Sequence, residues 1–147
     1  MKKLLILGLG TGIGMGLVLM AQTAPAAVTY VDAQKVAEAI ARTGVLATNA
    51  EFMVAGAHRD KAGEVEVHEK TTDIVFVQAG EATYVTGGKI VGGRQTRPGE
   101  WLGTDIEGGT VHHLKKGDVI VVPPGQPHWF KEVPKQINHY MVRVHRP

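Results

Sequence analysis

The sequence predicts an all-β domain led by one short helix, and three observations carry that reading. Short runs rich in Val recur from residue 52 to residue 144. Gly, Pro and Asp punctuate them at regular intervals, the spacing of tight turns. Within several runs apolar and polar residues alternate, the period of a strand with one buried face. Many short strands joined by evenly spaced turns build an antiparallel sandwich or barrel.

Taken in order, the first segment is a leader. Lys2 and Lys3 precede an apolar stretch over residues 4–20, and Ala24-Pro25-Ala26 follows. A charged start, an apolar middle and a small-residue end are the layout of a secretory signal peptide. Cleavage after Ala26 avoids a scissile bond next to Pro25 and gives a mature start at Ala27. Gly8, Gly12 and Gly16 also suit the pairing face of a membrane anchor, but 17 apolar residues diluted by glycine make a weak span. A dinucleotide loop is excluded, because Gly8, Gly10, Gly12, Gly14 and Gly16 all fall on even positions and GxGxxG needs an odd step. The expected location is the periplasm or the exterior of a bacterium.

Residues 27–49 read as a helix and lead-in. Asp32 is placed to cap, Val36, Ala37 and Ile40 share a face, and Gly44 is the expected stop. From residue 50 to residue 147 the chain reads as one β domain. Strands are expected over 52–57, 64–69, 73–78, 82–86, 111–114, 118–122, 128–133 and 137–144. Breaks are expected at Ala79-Gly80, Gly87-Gly88, Gly92-Gly93, Pro98-Gly99, Gly108-Gly109 and Pro124-Gly125. The Gly-rich stretch 87–109 reads as a loop that shapes a pocket.

Composition narrows the function. The chain has 147 residues, room for one domain with a core. Its net charge of +2 comes from Lys2 and Lys3 alone; without them 14 Lys and Arg balance 14 Asp and Glu. No basic footprint for nucleic acid remains. With no cysteine, there is no disulfide framework and no thiolate chemistry. A metal would need nitrogen and oxygen ligands.

Two motifs point to a family. The segment Gly117-Asp-Val-Ile-Val-Val-Pro123-Pro-Gly125-Gln-Pro-His128 resembles the second cupin motif, G-x5-P-x-G-x2-H, at every fixed position before a final Asn that here is Glu132. Upstream, Glu66-Val-His68, Asp73 and Gly80 keep the spacing of the first motif, H-x-H-x3–4-E-x6-G, with Glu66 in place of its first His and Asp73 in place of its Glu. The resemblance spans roughly residues 50–145 and is closest to small single-domain bacterial cupins. It implies a jelly-roll barrel (a double-stranded β-helix), usually a homodimer, with a divalent metal held inside by the two motifs.

Strand geometry reaches some of the same residues independently. Glu66 and His68 are two apart and share a face, with Val65 and Val67 opposite. Asp73 shares parity with Val75 and Val77 and should point inward. Pro123, Pro124, Gly125 and Pro127 fix the turn that presents His128. The metal set is therefore Glu66, His68, Asp73 and His128. Imidazole with carboxylate suits Zn, Mn, Fe, Ni or Cu without choosing among them. Glu66 also fits an exposed acidic run with Glu64 and Glu69. Lys70 is the nearest cation in sequence and could pair with Asp73 or Glu66 in a metal-free site; otherwise Lys70 or Glu66 is the candidate proton-transfer group. Phe130 shares the His128 face and should line the pocket. Trp101 should close over that pocket or pin a loop, and Trp129 should pack outside or at a dimer contact. His112 and His113 cannot both face in, and His58, His139 and His145 read as surface or edge residues.

Three functions follow. The first is metal-dependent chemistry on a small organic molecule, of oxygenase, isomerase or lyase type. The second is non-catalytic binding of a sugar or organic acid. The third is a purely structural barrel. Fold does not choose among them, because function lives in the site.

Overall fold

Asp32 starts the helix by accepting the Lys35 backbone N–H at 2.9 Å, and α1 runs over Ala33–Arg42. The stop comes one residue earlier than Gly44, at Thr43, which adopts a left-handed φ of 55°. Its hydroxyl accepts from the His58 backbone N–H at 3.1 Å, which helps to hold this turn against the second strand. The computed structural model describes residues 27–146, so the leader expected over residues 1–26 lies outside them. No helix among the described residues is long and apolar enough to cross a membrane.

Everything after the helix is strand and turn. The strands are β1 Gly44–Thr48, β2 Phe52–Arg59, β3 Val65–His68, β4 Thr71–Thr86, β5 Lys89–Val91, β6 Arg94–Arg97, β7 Glu100–Gly103, β8 Asp105–Glu107, β9 Thr110–Lys115, β10 Val119–Val122, β11 His128–Glu132 and β12 Ile137–His145. All pairings are antiparallel, and the main order is β1-β2-β12-β4-β11-β3-β7-β6. β10 lies along the first half of β4 and β9 along its second half.

The lead-in 27–49 ends in a strand, β1, which pairs Gly44 with Gly56 of β2. Two expectations needed correction. The two strands expected over 73–78 and 82–86 are one 16-residue strand that bends rather than breaks at Ala79-Gly80. Its buried positions are odd up to Val77, whereas beyond the bend Ala82 and Tyr84 are buried together with Val85, the alternation being shifted by the unpaired step opposite the Asn138/His139 bulge. The stretch 87–109 is not an open loop: β5 and β8 form a ribbon, while β6 and β7 form a hairpin that extends the sheet beyond β3.

The core lies where the two halves of β4 face β10, β11 and β12. Val75, Val77, Ala82, Tyr84, Leu114, Val122, Phe130 and Ile137 make one buried cluster. Their inward alternation carries the charged and imidazole side chains between them to the same interior.

Candidate functional site

Three cross-strand pairs build the site. His128 of β11 stands opposite Glu66 of β3, His68 of β3 opposite Glu100 of β7, and Arg143 of β12 opposite Asp73 of β4. Directly opposed residues are the closest side-chain neighbours a sheet offers. Five strands thus deliver their polar side chains to one point without any local sequence contiguity.

The donor atoms converge. Ligand atoms of Glu66, His68 and His128 all lie within 4.8 Å of one another. Asp73 Oδ2 is 3.6 Å from His68 Nε2 and 3.7 Å from His128 Nε2. His68, His128 and Asp73 are buried, with 5%, 6% and 3% of their surface exposed. Each histidine is anchored through its other nitrogen. His128 Nδ1 lies 3.0 Å from the Gln126 carbonyl oxygen, which can only accept, so the proton sits on Nδ1. His68 Nδ1 lies 2.6 Å from Glu100 Oε2. Both Nε2 atoms therefore face the Glu66 and Asp73 carboxylates.

Arg143 and Arg59 reach these carboxylates. Arg143 Nη2 donates to His68 Nε2 at 3.1 Å and to Glu66 Oε2 at 3.4 Å, while its Nε is 3.2 Å from Asp73 Oδ1. That last contact is an ion pair without hydrogen-bond alignment, which leaves both Asp73 Oδ1 and Arg143 Nε buried and unsatisfied. Arg59 Nη2 donates to Glu66 Oε1 at 3.5 Å and lies over the Phe130 ring, 4.9 Å from its centre. Burial works to raise the Glu66 pKa, but the neighbouring His68 imidazole and the His128 and Arg143 charges outweigh it and hold it down at about 2. For His68, burial opposes charge, yet the neighbouring Glu66, Asp73 and Glu100 carboxylates raise its pKa against Arg143. Burial lowers that of His128.

A cavity of about 280 Å³ opens beside this cluster. Glu66, Asp73, His128, Arg143, Arg59 and Phe130 are on its wall, with Tyr84 and Met141 as apolar neighbours. Phe130 thus sits on the pocket, edge-on to Tyr84 at 4.6 Å. Lys70 is exposed in the turn between β3 and β4 and is not on the cavity wall. Trp101 is half-buried away from the cavity, and its indole N–H donates to Glu69 Oε1 at 2.7 Å, pinning β7 to the end of β3. Trp129, expected outside, reaches the cavity rim and donates to the Gly63 carbonyl at 2.7 Å.

His139 is a correction of a different kind. Expected at the surface or an edge, it is 3% exposed, stacked on Phe130 at 5.2 Å, and on the cavity wall. Burial, and then the Arg59 charge, lower its pKa to about 4. His113 is exposed, and His112 Nε2 lies 2.8 Å from the Thr86 hydroxyl.

The Schizosaccharomyces pombe Cnp3 cupin domain has the same architecture, with a TM-score of 0.51 at 13% identity over 69% of this chain and 59% of that one. The chain has the cupin fold. A Bacillus halodurans protein gives a TM-score of 0.50 at 14% identity, covering 70% of this chain and 69% of the other. A double-stranded β-helix protein from Klebsiella pneumoniae subsp. pneumoniae MGH 78578 is 24% identical over 69% of this chain and 73% of its own, with a TM-score of 0.49. At such identities the likeness concerns the fold alone. No protein-family model and no curated protein matches the chain.

Within the cupin barrel, Glu100, Arg143, Arg59 and His139 are the site residues that the sequence reading passed over. Two of them carried a signal. Arg143 continues the parity of Ile137, His139 and Met141, and Arg59 that of Ala55 and Ala57, so each is a charge on the inward face of a strand. Glu100 carried none, because only the pairing of β7 with β3 brings it to His68.

The donor set fits a divalent cation. Two imidazoles, each with Nδ1 engaged by an acceptor oxygen, and an ionised carboxylate are ligands for a borderline metal, and both Nε2 atoms are turned toward the carboxylates.

Proposed function

We propose that this cupin holds a divalent metal ion on Glu66, His68 and His128, with Asp73 alongside, and acts on a small organic molecule bound in the adjoining cavity. The observation that carries the proposal is the convergence of those three donor groups within 4.8 Å, next to a cavity large enough for a small ligand. When bound, the ion would supply a Lewis acid for a substrate oxygen, or a redox centre if it is Fe, Mn or Cu. The chain's own residues would do the rest. Phe130, Tyr84 and Met141 shield the cavity floor from water, and Arg59 offers guanidinium N–H groups to an anionic or hydroxylated substrate. Glu66, ionised throughout the physiological range, can accept a proton, and it takes that role here in preference to Lys70 in its exposed turn.

A second reading has its own observation. The Arg143 guanidinium already touches His68, Glu66 and Asp73, and a cation in that position suits a metal-free pocket that binds a sugar or organic acid without chemistry. Metal content decides between them. Protein purified without a histidine tag is expected to carry stoichiometric metal and to melt higher when Zn, Mn, Fe, Ni or Cu is supplied, since a ligand of the folded state stabilises it. His128→Ala should lose both effects and His113→Ala neither. A wild type that binds none of the five metals and melts unchanged hands the site to the second reading.

A further inference from the structure

We infer that Glu100 is the positioning residue of the metal site: its carboxylate holds the His68 proton on Nδ1 and so presents the Nε2 lone pair to Glu66 and His128. The inference rests on the metal reading of the site.

The two histidines solve one problem in two ways. A neutral imidazole has one proton and two nitrogens, and the partner of one nitrogen decides what the other offers. His128 is fixed by a backbone carbonyl, Gln126, supplied by the proline-rich turn itself. His68 lies in a strand and obtains its partner from the neighbouring strand, where Glu100 stands directly opposite. The 2.6 Å contact between His68 Nδ1 and Glu100 Oε2 is the shortest polar contact either histidine makes.

The other side of the ring shows why the partner is needed. Glu66 Oε2 is 3.4 Å and Asp73 Oδ2 3.6 Å from His68 Nε2. Without Glu100, the two remaining carboxylates both face Nε2 and would draw the proton there, turning an N–H toward the donor cluster in place of a lone pair. Arg143 reports the opposite arrangement, since its Nη2 donates to Nε2 and a donor needs a lone pair to meet. The strand that carries the carboxylate is also held in place. Gly99 accepts the Glu69 backbone N–H at 2.8 Å, and Trp101 donates to Glu69 from the other side of Glu100. Thr96 Oγ1 donates to the Glu100 carbonyl at 3.2 Å, fixing the β6–β7 turn that carries it. The Gly-rich stretch, expected to shape the pocket, thus supports the site through Glu100 instead, and none of its residues is on the cavity wall.

The test reads the proton directly. The chain is labelled with ¹⁵N in its histidine rings, and long-range ¹H–¹⁵N spectra are recorded without metal at about pH 9, where an imidazole is neutral; His68→Asn assigns the signals. The wild type should show His68 as the Nδ1–H tautomer. Glu100→Ala should move the proton to Nε2 and weaken zinc binding by about 10- to 100-fold. Glu100→Gln, whose amide oxygen can still accept, should restore Nδ1–H and recover most of the affinity, which separates positioning from a loss of fold. A Glu100→Ala protein that keeps Nδ1–H and binds zinc as the wild type does overturns the inference. If no form binds zinc, the metal reading fails by itself, and the proton position alone then decides the role of Glu100.

Discussion

At the scale of single residues, His139 shows how the barrel treats an ionisable group that it does not pair. Its ring is stacked on Phe130, its Nδ1 is buried without a hydrogen-bond partner, and the Arg59 cation sits on the same aromatic cluster. Burial comes first and the Arg59 charge second in lowering its pKa to about 4 from the ordinary 6.5. In the unfolded chain the ring takes up a proton near 6.5, whereas in the folded chain it does so only near 4. Between those values the unfolded state binds more protons, so stability falls as the pH falls through that window and levels off below it. The full shift corresponds to about 3 kcal/mol at most. Chemical denaturation of wild type and His139→Leu, from neutral down to about pH 4, isolates this group, because other titrations are common to both proteins. The wild type should lose stability relative to the variant across the window; parallel curves would refute the assignment. None of this was legible beforehand. His139 has no motif around it, and its inward parity is visible only once Ile137 is known to anchor the strand.

At the scale of elements, β4 does the most. Its first half pairs with β10 and β12 and carries Asp73; its second half pairs with β9 and β11 and carries Tyr84. Gly80 makes the bend between them, with φ at 77° and its missing Cβ directed at the Gln136 carbonyl oxygen. That oxygen also accepts the Glu81 backbone N–H at 3.2 Å, so it cannot move away cheaply. Gly117 offers the control, with φ at 93° and nothing within 4 Å of where a Cβ would lie. Gly117→Ala should cost about 1 kcal/mol, the penalty of a left-handed φ alone. Gly80→Ala should cost about 3 kcal/mol or more, since backbone must also shift. Urea unfolding of the two variants checks this, and equal losses would show that the bend does not depend on Gly80. The strands and their breakers were readable because period-2 alternation and Gly/Pro turns are local. The continuity of β4 was not, because a Gly in a strand pattern reads alike as an end, a bulge or a bend. The same limit divides the site. Glu66, His68, Asp73 and His128 follow from motif spacing and parity and Arg143 has the inward parity of its strand, whereas Glu100 enters only through a register set by a distant strand.

At the scale of the whole molecule, the face formed by β9 and β10 differs from the rest of the surface. Val111, Val119 and Val121 point outward and are 54%, 53% and 55% exposed. Among the described residues both strands pair only with β4, so each leaves an edge of backbone donors and acceptors without a ladder partner. Exposed edges and apolar rows together are what proteins ordinarily cover, by burial or by pairing. Three valines fall well short of the roughly 800 Å² per partner that a stable interface buries. Side-chain contact alone therefore does not suffice, whereas edge-to-edge pairing with a second copy adds a row of hydrogen bonds to the same apolar strip. An isologous contact of this kind closes on itself and yields a homodimer. Light scattering at micromolar concentration should then show a dimer, and the β10 amides should exchange more slowly as concentration rises. Val119→Lys with Val121→Lys places two like charges on each copy at the contact and should give a monomer whose metal binding is kept, since neither residue lies on the cavity wall. A wild type that is monomeric at these concentrations, with β10 amides exchanging at a rate independent of concentration, would leave the valine face without a second copy to cover it.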